Sequence, residues 1–349
     1  MKSLSLAHKI LYVVNSILAL CLLLSYLAPY LSPNTLSFPA FLGLSYPALL
    51  VSNLCFVIYW MIRLKKQLLL SLICMAIGYA FIPRFYQSSG KFKAMASDNN
   101  ISVMSYNTYG SNFLGRNKEK RTYVRNEINK LLDDNYADIV CFQETANDQI
   151  NKKKYKYFTS RFKSMILSKY PIVKEGYINF EEGSYNTCIY ADIKTPIDTI
   201  RVYNVHLASL KFKAGDYDFI NKIDENLEEE KLKAGSYSLF KKIGIAFQKR
   251  SLQAEEISLH ASNSPHPVVL CGDFNDTAAS YAYEQLSTNY SDAFVSSGSG
   301  IGVTYQKLNV PLRIDFILYD ENYMNAFNFS TIDKELSDHY PIHTNIEIR

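Results

Sequence analysis

The chain begins with long apolar stretches that carry no charge. No charged residue occurs from Ile10 to Ile62, and Gln67–Pro83 is a further uncharged stretch. A helix that crosses a bilayer needs about 20 apolar residues. The pattern therefore predicts membrane spans at about 10–27, 41–62 and 67–83. The third stretch is near the short limit, and it also fits a buried core helix or an interfacial segment.

After a polar stretch at 87–100, interpreted as a linker, strand-like and helix-like patterns alternate. Helical spacing of apolar residues predicts helices over Lys118–Asp133 and Ser236–Ser262. Arg250 falls on the apolar stripe of the second helix, where it either reaches inward to a carboxylate or lies at the surface. Apolar runs predict strands at Ile101–Tyr106, Asp138–Gln143, Ser164–Leu167, Thr187–Ile193, Thr199–Leu207, Pro267–Cys271, Gly302–Tyr305, Arg313–Tyr319 and Ile342–Ile348.

These patterns divide the chain into two parts. Residues 1–86 are predicted to form a transmembrane anchor, and residues 101–349 a layered α/β domain, because many strands with helices between them are typical of that class. Charge divides the chain at the same place, since no Asp or Glu precedes Asp98. The remainder is mildly acidic, so it has no general electrostatic attraction for nucleic acid.

The basic residues near the predicted spans indicate an orientation. Lys2 and Lys9 precede the first span, and Arg63, Lys65 and Lys66 lie between the second and third. Basic loops stay in the cytoplasm. We therefore expect the α/β domain on the opposite side of the membrane. If the third stretch does not cross, the domain faces the cytoplasm instead.

Polar side chains of a few chemical types recur at the ends of apolar runs. The residues are Asn107, Glu144, His206, Asp273, Asn275, Asp338 and His339, with Asp315 inside the run Arg313–Leu318. Ligand sites in α/β sheets lie at strand ends, so the repetition predicts one shared rim. Each residue alone also fits a structural role, such as a turn, a cap or a core histidine. Together, acid, amide and imidazole suit metal-assisted cleavage of a phosphate ester.

Six blocks of the α/β domain resemble the signatures of the endonuclease/exonuclease/phosphatase superfamily. The blocks are Met104–Asn107, Asp138–Glu144, Tyr203–Leu207, Gly272–Asn275, Arg313–Leu318 and Ser337–Pro341. Relatives in this superfamily include DNases, apurinic-site endonucleases, neutral sphingomyelinases and inositol-polyphosphate 5-phosphatases. The resemblance implies a four-layered α/β sandwich in which two packed mixed sheets are flanked by helices. Spans followed by this domain resemble bacterial membrane-anchored members, which implies the inner membrane with the catalytic domain facing the periplasm.

The resemblance also implies roles for individual residues. Glu144, with Asn107 and Asp338, would hold Mg²⁺ or Mn²⁺, ions that suit oxygen ligands. Asp273 would orient or deprotonate the attacking water. The phosphate would contact Asn275 and His339, and His206 resembles the second active-site histidine.

Two further positions complete this picture. Asp315 resembles the carboxylate that pairs with a catalytic histidine. Several relatives place an Arg or Tyr phosphate contact in the strand that corresponds to Thr187–Ile193. This chain has no Arg there, and Asn186, which begins the stretch, is the candidate substrate contact.

The expected function is a membrane-anchored, metal-dependent phosphodiesterase, most simply a nuclease, acting by in-line attack of water and needing no obligate protein partner. A lipid head-group phosphodiesterase or phosphatase of the sphingomyelinase type, and a catalytically inactive binding module, are the alternatives. The stretch Asn151–Lys163 interleaves six basic residues with four aromatic ones. It fits contact with a nucleic-acid backbone or with anionic lipid, and equally a solvated loop.

Overall fold

The computed structural model describes residues 5–88, 99–115, 117–145, 150–180, 186–210, 215–216, 219, 229–307 and 311–349. The helices are α1 (Leu6–Ser25), α2 (Phe38–Leu44), α3 (Tyr46–Ile62), α4 (Leu68–Ile77), α5 (Lys118–Asp134), α6 (Glu229–Ser262), α7 (Tyr281–Ser287) and α8 (Ala293–Ser297). Short 3₁₀ turns follow at Tyr79–Arg84 and Tyr109–Ser111. The predicted linker falls largely on 89–98, outside the described residues.

The strands form two six-stranded sheets. They are β1 (Asn100–Asn107), β2 (Ile139–Gln143), β3 (Tyr157–Arg161), β4 (Ser164–Ser168), β5 (Ile172–Ile178), β6 (Thr187–Lys194), β7 (Thr199–His206), β8 (Val268–Asp273), β9 (Ser291–Asp292), β10 (Asp315–Tyr319), β11 (Met324–Thr331) and β12 (Ile342–Ile348). The first sheet has the order β11-β12-β1-β2-β4-β3, and the second has the order β5-β6-β7-β8-β10-β9.

Each sheet is built around one parallel pair of strands. β1 pairs with β2 in the first sheet and β7 with β8 in the second, and their other neighbours are antiparallel. A parallel pair needs a crossover connection. Helices α5 and α6 provide these crossovers and cover the outer faces through apolar side chains such as Ile128 and Ile257. The predicted class, two packed mixed sheets flanked by helices, is therefore confirmed.

The main core lies between the two sheets. Val103 and Cys141 from the first sheet pack in one cluster with Val202 and Val269 from the second. Because both faces of the central strands are covered, these strands read as continuous apolar runs in the sequence. This stacking brings the carboxyl ends of β1, β2, β7 and β8 to the same end of the domain, where the candidate site lies.

One predicted strand is wrong. Gly302–Tyr305 is a loop in which Gly302 has a φ of +58° and Tyr305 forms only isolated bridges, to Leu312 and His339. A left-handed residue interrupts a strand, and the loop instead carries Tyr305 to the ring of His339, with the two centroids 4.9 Å apart.

The N-terminal helices form a small bundle. Helix α1 is long and apolar enough to cross a membrane, and α2 with α3, bent by 66°, would form a second, broken span. Helix α4 has ten residues, a length of about 15 Å, and the 3₁₀ turn at Tyr79–Arg84 extends it. The three predicted spans coincide with these helices, while membrane crossing itself stays a prediction.

The bundle contacts the α/β domain at one end. The Phe41 ring packs against Phe240 and Phe247 of α6, and Asn34 donates to the Ser251 hydroxyl at 2.7 Å. Arg84 forms a 2.7 Å ion pair with Glu284 of α7. The loop between α1 and α2, together with the end of the 3₁₀ turn, is therefore joined to the domain.

Candidate active site

Four strand ends bring the predicted rim residues together. Asn107 ends β1, Glu144 follows β2, His206 ends β7 and Asp273 ends β8. The Asn107 Nδ2 donates to Asp273 Oδ2 at 2.9 Å, across the gap between the sheets. The shared rim predicted from the sequence therefore exists in the fold.

The turn after β8 presents the carboxylate of Asp273. The Asn275 backbone N–H donates to Asp273 Oδ1 at 2.7 Å, and its side-chain amide donates to Oδ2 at 3.1 Å. Gly272 is required because its φ is +143° and an added Cβ would lie 1.9 Å from the Val205 carbonyl oxygen. The sequence Gly272–Asn275 thus forms an Asx turn that also fixes the orientation of a buried carboxylate.

Asp315 and His339 form a hydrogen-bonded pair next to Asp273. Strand β10 places Asp315 directly opposite Asp273 of β8, and Asp315 Oδ2 lies 2.9 Å from His339 Nδ1. A carboxylate at Nδ1 assigns the ring proton to that nitrogen and leaves Nε2 facing the site. Nε2 lies 3.6 Å from Asp273 Oδ2. Thr304 supports the pair by accepting the Asp315 backbone N–H at 3.1 Å.

The pKa values of Asp273 and His339 are both raised, for different reasons. Burial raises the pKa of Asp273 to about 6, although the neighbouring His339 opposes the rise. Burial alone would lower the pKa of His339, but the charges of Asp315 and Asp273 outweigh it and raise the pKa to about 10. The site therefore stabilises a protonated imidazole beside a carboxyl group that exchanges its proton near neutral pH.

His206 is buried beside two carboxylates. Its Nε2 lies 3.7 Å from Glu144 Oε1 and 3.9 Å from Asp273 Oδ2, and among the described residues neither ring nitrogen has a hydrogen-bond partner. A buried polar group that lacks a partner is costly, which indicates that the ring is placed to meet a ligand.

Glu144 and Asp338 supply carboxylates on the open side of the rim. Glu144 adopts a φ of +52°, and about a third of its side chain (30 %) is exposed. Burial raises the pKa of Asp338, and the negative charge of Glu144 adds to the rise while His339 and Lys307 oppose it. The Ser337 hydroxyl fixes this segment by donating to the Asn107 carbonyl at 2.7 Å.

These oxygen donors fit a divalent ion. The negative charge of Glu144 acts on the Asp338 carboxyl group, and a hard cation such as Mg²⁺ or Mn²⁺ prefers carboxylate ligands. A second grouping consists of Asp273, Asp315 and His339, whose candidate ligand atoms lie within 4.8 Å of one another. In that grouping the Asp315 carboxylate and His339 Nδ1 are already bonded to each other, so we interpret it as a histidine–carboxylate pair.

Asn186 lies close to the site, where its side chain hydrogen-bonds to the backbone of another residue. Its Nδ2 donates to the Leu207 carbonyl at 2.7 Å, and Asn275 Nδ2 donates to the same carbonyl at 3.0 Å. The two amides hold the segment that follows β7. A role for Asn186 in binding substrate stays a prediction.

Arg250 supports the site from helix α6. Its Nε lies 3.0 Å from Asp276 Oδ2, and its Nη1 donates to the Asn275 carbonyl. Of the two positions expected for Arg250, the inward one is correct. Asp276 and Ser337 were not among the predicted site residues. Each adjoins one of them in the sequence, Asn275 and Asp338 respectively, and that adjacency was the signal available.

Comparisons with known proteins agree with this fold. The model of the Endonuclease/Exonuclease/phosphatase family matches residues 104–339, and a model described as Domain of unknown function (DUF8431) matches residues 8–85. A search of curated protein sequences found no match.

Solved structures share the fold at low sequence identity. Humanized D. rerio TDP2 with 14 mutations has a TM-score of 0.51 and 15% identity, covering 72% of this chain and 99% of that chain. D. rerio TDP2 complexed with single strand DNA product has a TM-score of 0.50 and 16% identity, covering 71% and 98%. A functionally unknown conserved protein from Enterococcus faecalis V583 has a TM-score of 0.50 and 13% identity, covering 71% and 100%.

Proposed function

Because this chain belongs to the endonuclease/exonuclease/phosphatase family, and is thereby a phosphoester hydrolase, we propose that it is a membrane-anchored, divalent-metal-dependent phosphodiesterase of the nuclease type. One observation carries the proposed chemistry. The Asp273 carboxylate is held by Asn107 and Asn275 and lies within 4 Å of an Nε2 atom of both His206 and His339. Such a fixed carboxylate suits the task of holding a water molecule in line with a phosphodiester.

Each residue then has a distinct task. Asp273 orients the water and accepts its proton as the oxygen attacks phosphorus and the ester P–O bond breaks; the leaving oxygen takes a proton from solvent water, so the products are a phosphate monoester and an alcohol. Asn275 and His339 contact the phosphoryl oxygens, and Asp315 fixes the ring of His339. His206, whose ring nitrogens have no hydrogen-bond partner among the residues described, is placed to contact the phosphate from the side of β7.

Glu144, Asp338 and Asn107 are the proposed holders of Mg²⁺ or Mn²⁺. When bound, the ion supplies Lewis-acid stabilisation of the charge that develops on the phosphoryl oxygens. The Asn107 Oδ1 accepts the Tyr109 N–H at 3.1 Å, and its second lone pair remains for a ligand. Lys307 Nζ lies 3.8 Å from Asp338 Oδ2 and gives that carboxylate a partial counter-charge.

The nuclease activity is preferred over the lipid alternative for one reason. D. rerio TDP2, which shares the fold, is described with a single strand DNA product. A lipid head-group phosphodiesterase is the second candidate, because the loop of the bundle reaches the domain beside the site. An added Cβ at Gly43 would lie 2.7 Å from the carbonyl oxygen of Ala279, four residues after Asn275.

The proposed location is the inner membrane, with the domain facing the periplasm. Supporting geometry comes from the far end of the bundle, where His8 Nε2 lies 3.2 Å from Arg63 Nη2. Lys9 and the basic turn after α3 thus lie at the end away from the domain, as the positive-inside rule requires. In a Cys55→Ser background, Tyr323→Cys should react with an impermeant maleimide in spheroplasts and Lys66→Cys only after lysis. The reverse pattern would place the domain in the cytoplasm.

A substrate panel tests the activity. The full chain in detergent or nanodiscs, with Mg²⁺ or Mn²⁺, is offered DNA, RNA, sphingomyelin, phosphatidylinositol phosphates and a chromogenic phosphodiester, each beside the Asp273→Asn variant. We expect cleavage of nucleic acid that the variant lacks. Turnover of lipid alone would transfer the assignment to the second candidate. Activity that is equal in the variant would reject the site.

A further inference from the structure

The hairpin that joins β3 to β4 carries an exposed aromatic side chain at its tip. Phe162 is the first residue of a two-residue turn between Arg161 and Ser164, its φ is +56°, and it is 62% exposed. Two-residue hairpins favour Gly or Asn at a positive φ, and a bulky residue there is conformationally costly. Phe162 gains no burial in return for this cost. The turn therefore presents a ring to solvent at the expense of local stability.

Two neighbours extend this ring into a surface that combines two aromatic rings with a guanidinium group. The Arg161 guanidinium carbon lies 3.4 Å from the centroid of the Tyr177 ring and 5.3 Å from that of Phe162. The two rings are 6.3 Å apart and nearly perpendicular. We call Arg161, Phe162 and Tyr177 the rim platform. Tyr177 is 38% exposed, so part of its ring is open to a ligand as well.

The rim platform adjoins the active site from both sheets. On the first sheet, the Lys163 carbonyl accepts the N–H of Thr145, the residue after Glu144, at 2.9 Å. On the second sheet, Ile178 of β5 pairs with Cys188 of β6, and Thr187, the residue before Cys188, pairs with His206. The platform therefore lies on the side of the rim where Glu144 and His206 are.

We propose that the rim platform is a subsite for an unpaired nucleobase of a single-stranded nucleic acid whose phosphate occupies the active site. The inference rests on the proposed function, and it specifies that the substrate of the enzyme is single-stranded. Bases stack on aromatic rings and on guanidinium planes without regard to sequence.

The position of the bundle disfavours a bilayer as the occupant. The N-terminal segment meets the domain beside β9 and β10, where Gln87 bridges Gly300 and the Arg84 carbonyl accepts from Arg313 at 2.6 Å. The platform lies at the β3 and β5 edges, which are the opposite edges of both sheets. Phe162 therefore lies at the edge away from the place where the N-terminal segment meets the domain.

Binding to an inactive protein tests the platform separately from catalysis. The full-length Asp273→Asn variant with Mg²⁺ is titrated by fluorescence anisotropy with a labelled DNA strand and with an abasic strand of equal length and charge. We expect the strand with bases to bind roughly tenfold more tightly, since stacking adds affinity for each base. Phe162→Ala in the same background should abolish this preference, and Phe162→Trp should restore it. Tyr323→Ala, which removes an exposed ring from the turn between β10 and β11, should retain it.

The other outcomes separate the proposal of the platform from the proposal that the enzyme is a nuclease. A preference that survives Phe162→Ala overturns the platform, whatever the enzyme cleaves. A preference that depends on Phe162, in a protein with native Asp273 that cleaves no nucleic acid with any divalent ion, upholds the platform and rejects the nuclease assignment. If Phe162→Ala slows release of a lipid head group in nanodiscs and leaves strand binding unchanged, the platform serves a membrane surface and the inference is overturned.

Discussion

Two buried polar clusters in this protein differ in how completely their hydrogen bonds are satisfied. In the N-terminal bundle, Asn15 bonds to Ser71 at 2.6 Å and to Trp60 at 3.0 Å, and Ser71 bonds to Asn53 at 2.8 Å. Asn53 also donates to two backbone carbonyls. In the active site, by contrast, His206 has no hydrogen-bond partner at either ring nitrogen within the part of the chain that the structure describes.

Backbone conformation separates the two clusters further. Glu144 and Asn275 at the active site both adopt a positive φ, of +52° and +53°. The residues of the bundle cluster lie within regular helices. A satisfied network holds elements together, whereas unpaired groups and strained backbone persist where a ligand completes the site. The comparison therefore distinguishes a structural polar cluster from a chemical one without reference to sequence motifs.

The largest expected effect is on catalysis. Asp273→Asn should lower kcat by roughly 10²- to 10⁴-fold, because it removes the proposed proton acceptor while keeping the shape of the side chain. Its melting temperature should not fall, since a neutral amide is easier to bury than a carboxylate. Turnover and thermal unfolding of the detergent-solubilised chain measure both.

Asp292→Asn is the matched control for that prediction. Asp292 is equally buried in the second sheet, but it is paired with Arg313 at 2.8 Å and with the Tyr283 hydroxyl at 2.9 Å. The control should lower the melting temperature and keep kcat. Loss of stability without loss of kcat in Asp273→Asn would mean that Asp273 also belongs to a structural network.

The second effect concerns the pair that supports the site. Arg250→Met should lower the free energy of unfolding by roughly 3–5 kcal/mol, because it leaves Asp276 as an unpaired buried carboxylate. Adding Asp276→Asn should recover part of the loss. Chemical unfolding of the two variants measures the coupling, and equal losses in the single and double variants would show that the pair contributes nothing beyond packing.

The sequence predicted the rim well because of how the fold is built. The central strands are buried on both faces, so they appear as apolar runs whose ends are visible, and Asn107 and Asp273 stand at those ends. The sequence could not show whether Arg250 reaches inward or lies at the surface. That depends on Asp276, which lies 26 positions away and reaches Arg250 only through the packing of α6 on the second sheet.

The edge strands were harder to predict for a physical reason. β3 and β5 are half-exposed and mix polar with apolar residues, so neither gives an apolar run. Yet these strands place Arg161 and Tyr177 side by side. Contacts between two edges of different sheets depend on how the sheets stack, and no local pattern encodes that stacking.

The third effect is on metal dependence. A chelator should abolish activity, and Mg²⁺ or Mn²⁺ should restore it. Glu144→Gln should raise the ion concentration that gives half-maximal rate by at least roughly 10- to 100-fold. That is the loss in metal affinity when a group that only hydrogen-bonds to a metal ligand is removed, and Glu144 is proposed to be a ligand itself. Glu175→Gln, on exposed β5, is the control. A normal ion requirement in Glu144→Gln would favour the grouping around Asp273, Asp315 and His339 as the metal site.

The smallest effect tests the satisfied cluster. Asn15→Leu removes two hydrogen bonds between helices and should destabilise the bundle by roughly 0.6–1.7 kcal/mol, the range found for single polar contacts between membrane helices. Ser16→Ala is the control, because the Ser16 hydroxyl bonds only to the Tyr12 carbonyl of its own helix. Unfolding in detergent measures the difference, and kcat should be unchanged in both. A fall in kcat for Asn15→Leu alone would contradict the distinction between the two clusters, since it would couple a fully bonded network in the bundle to the chemistry of the active site.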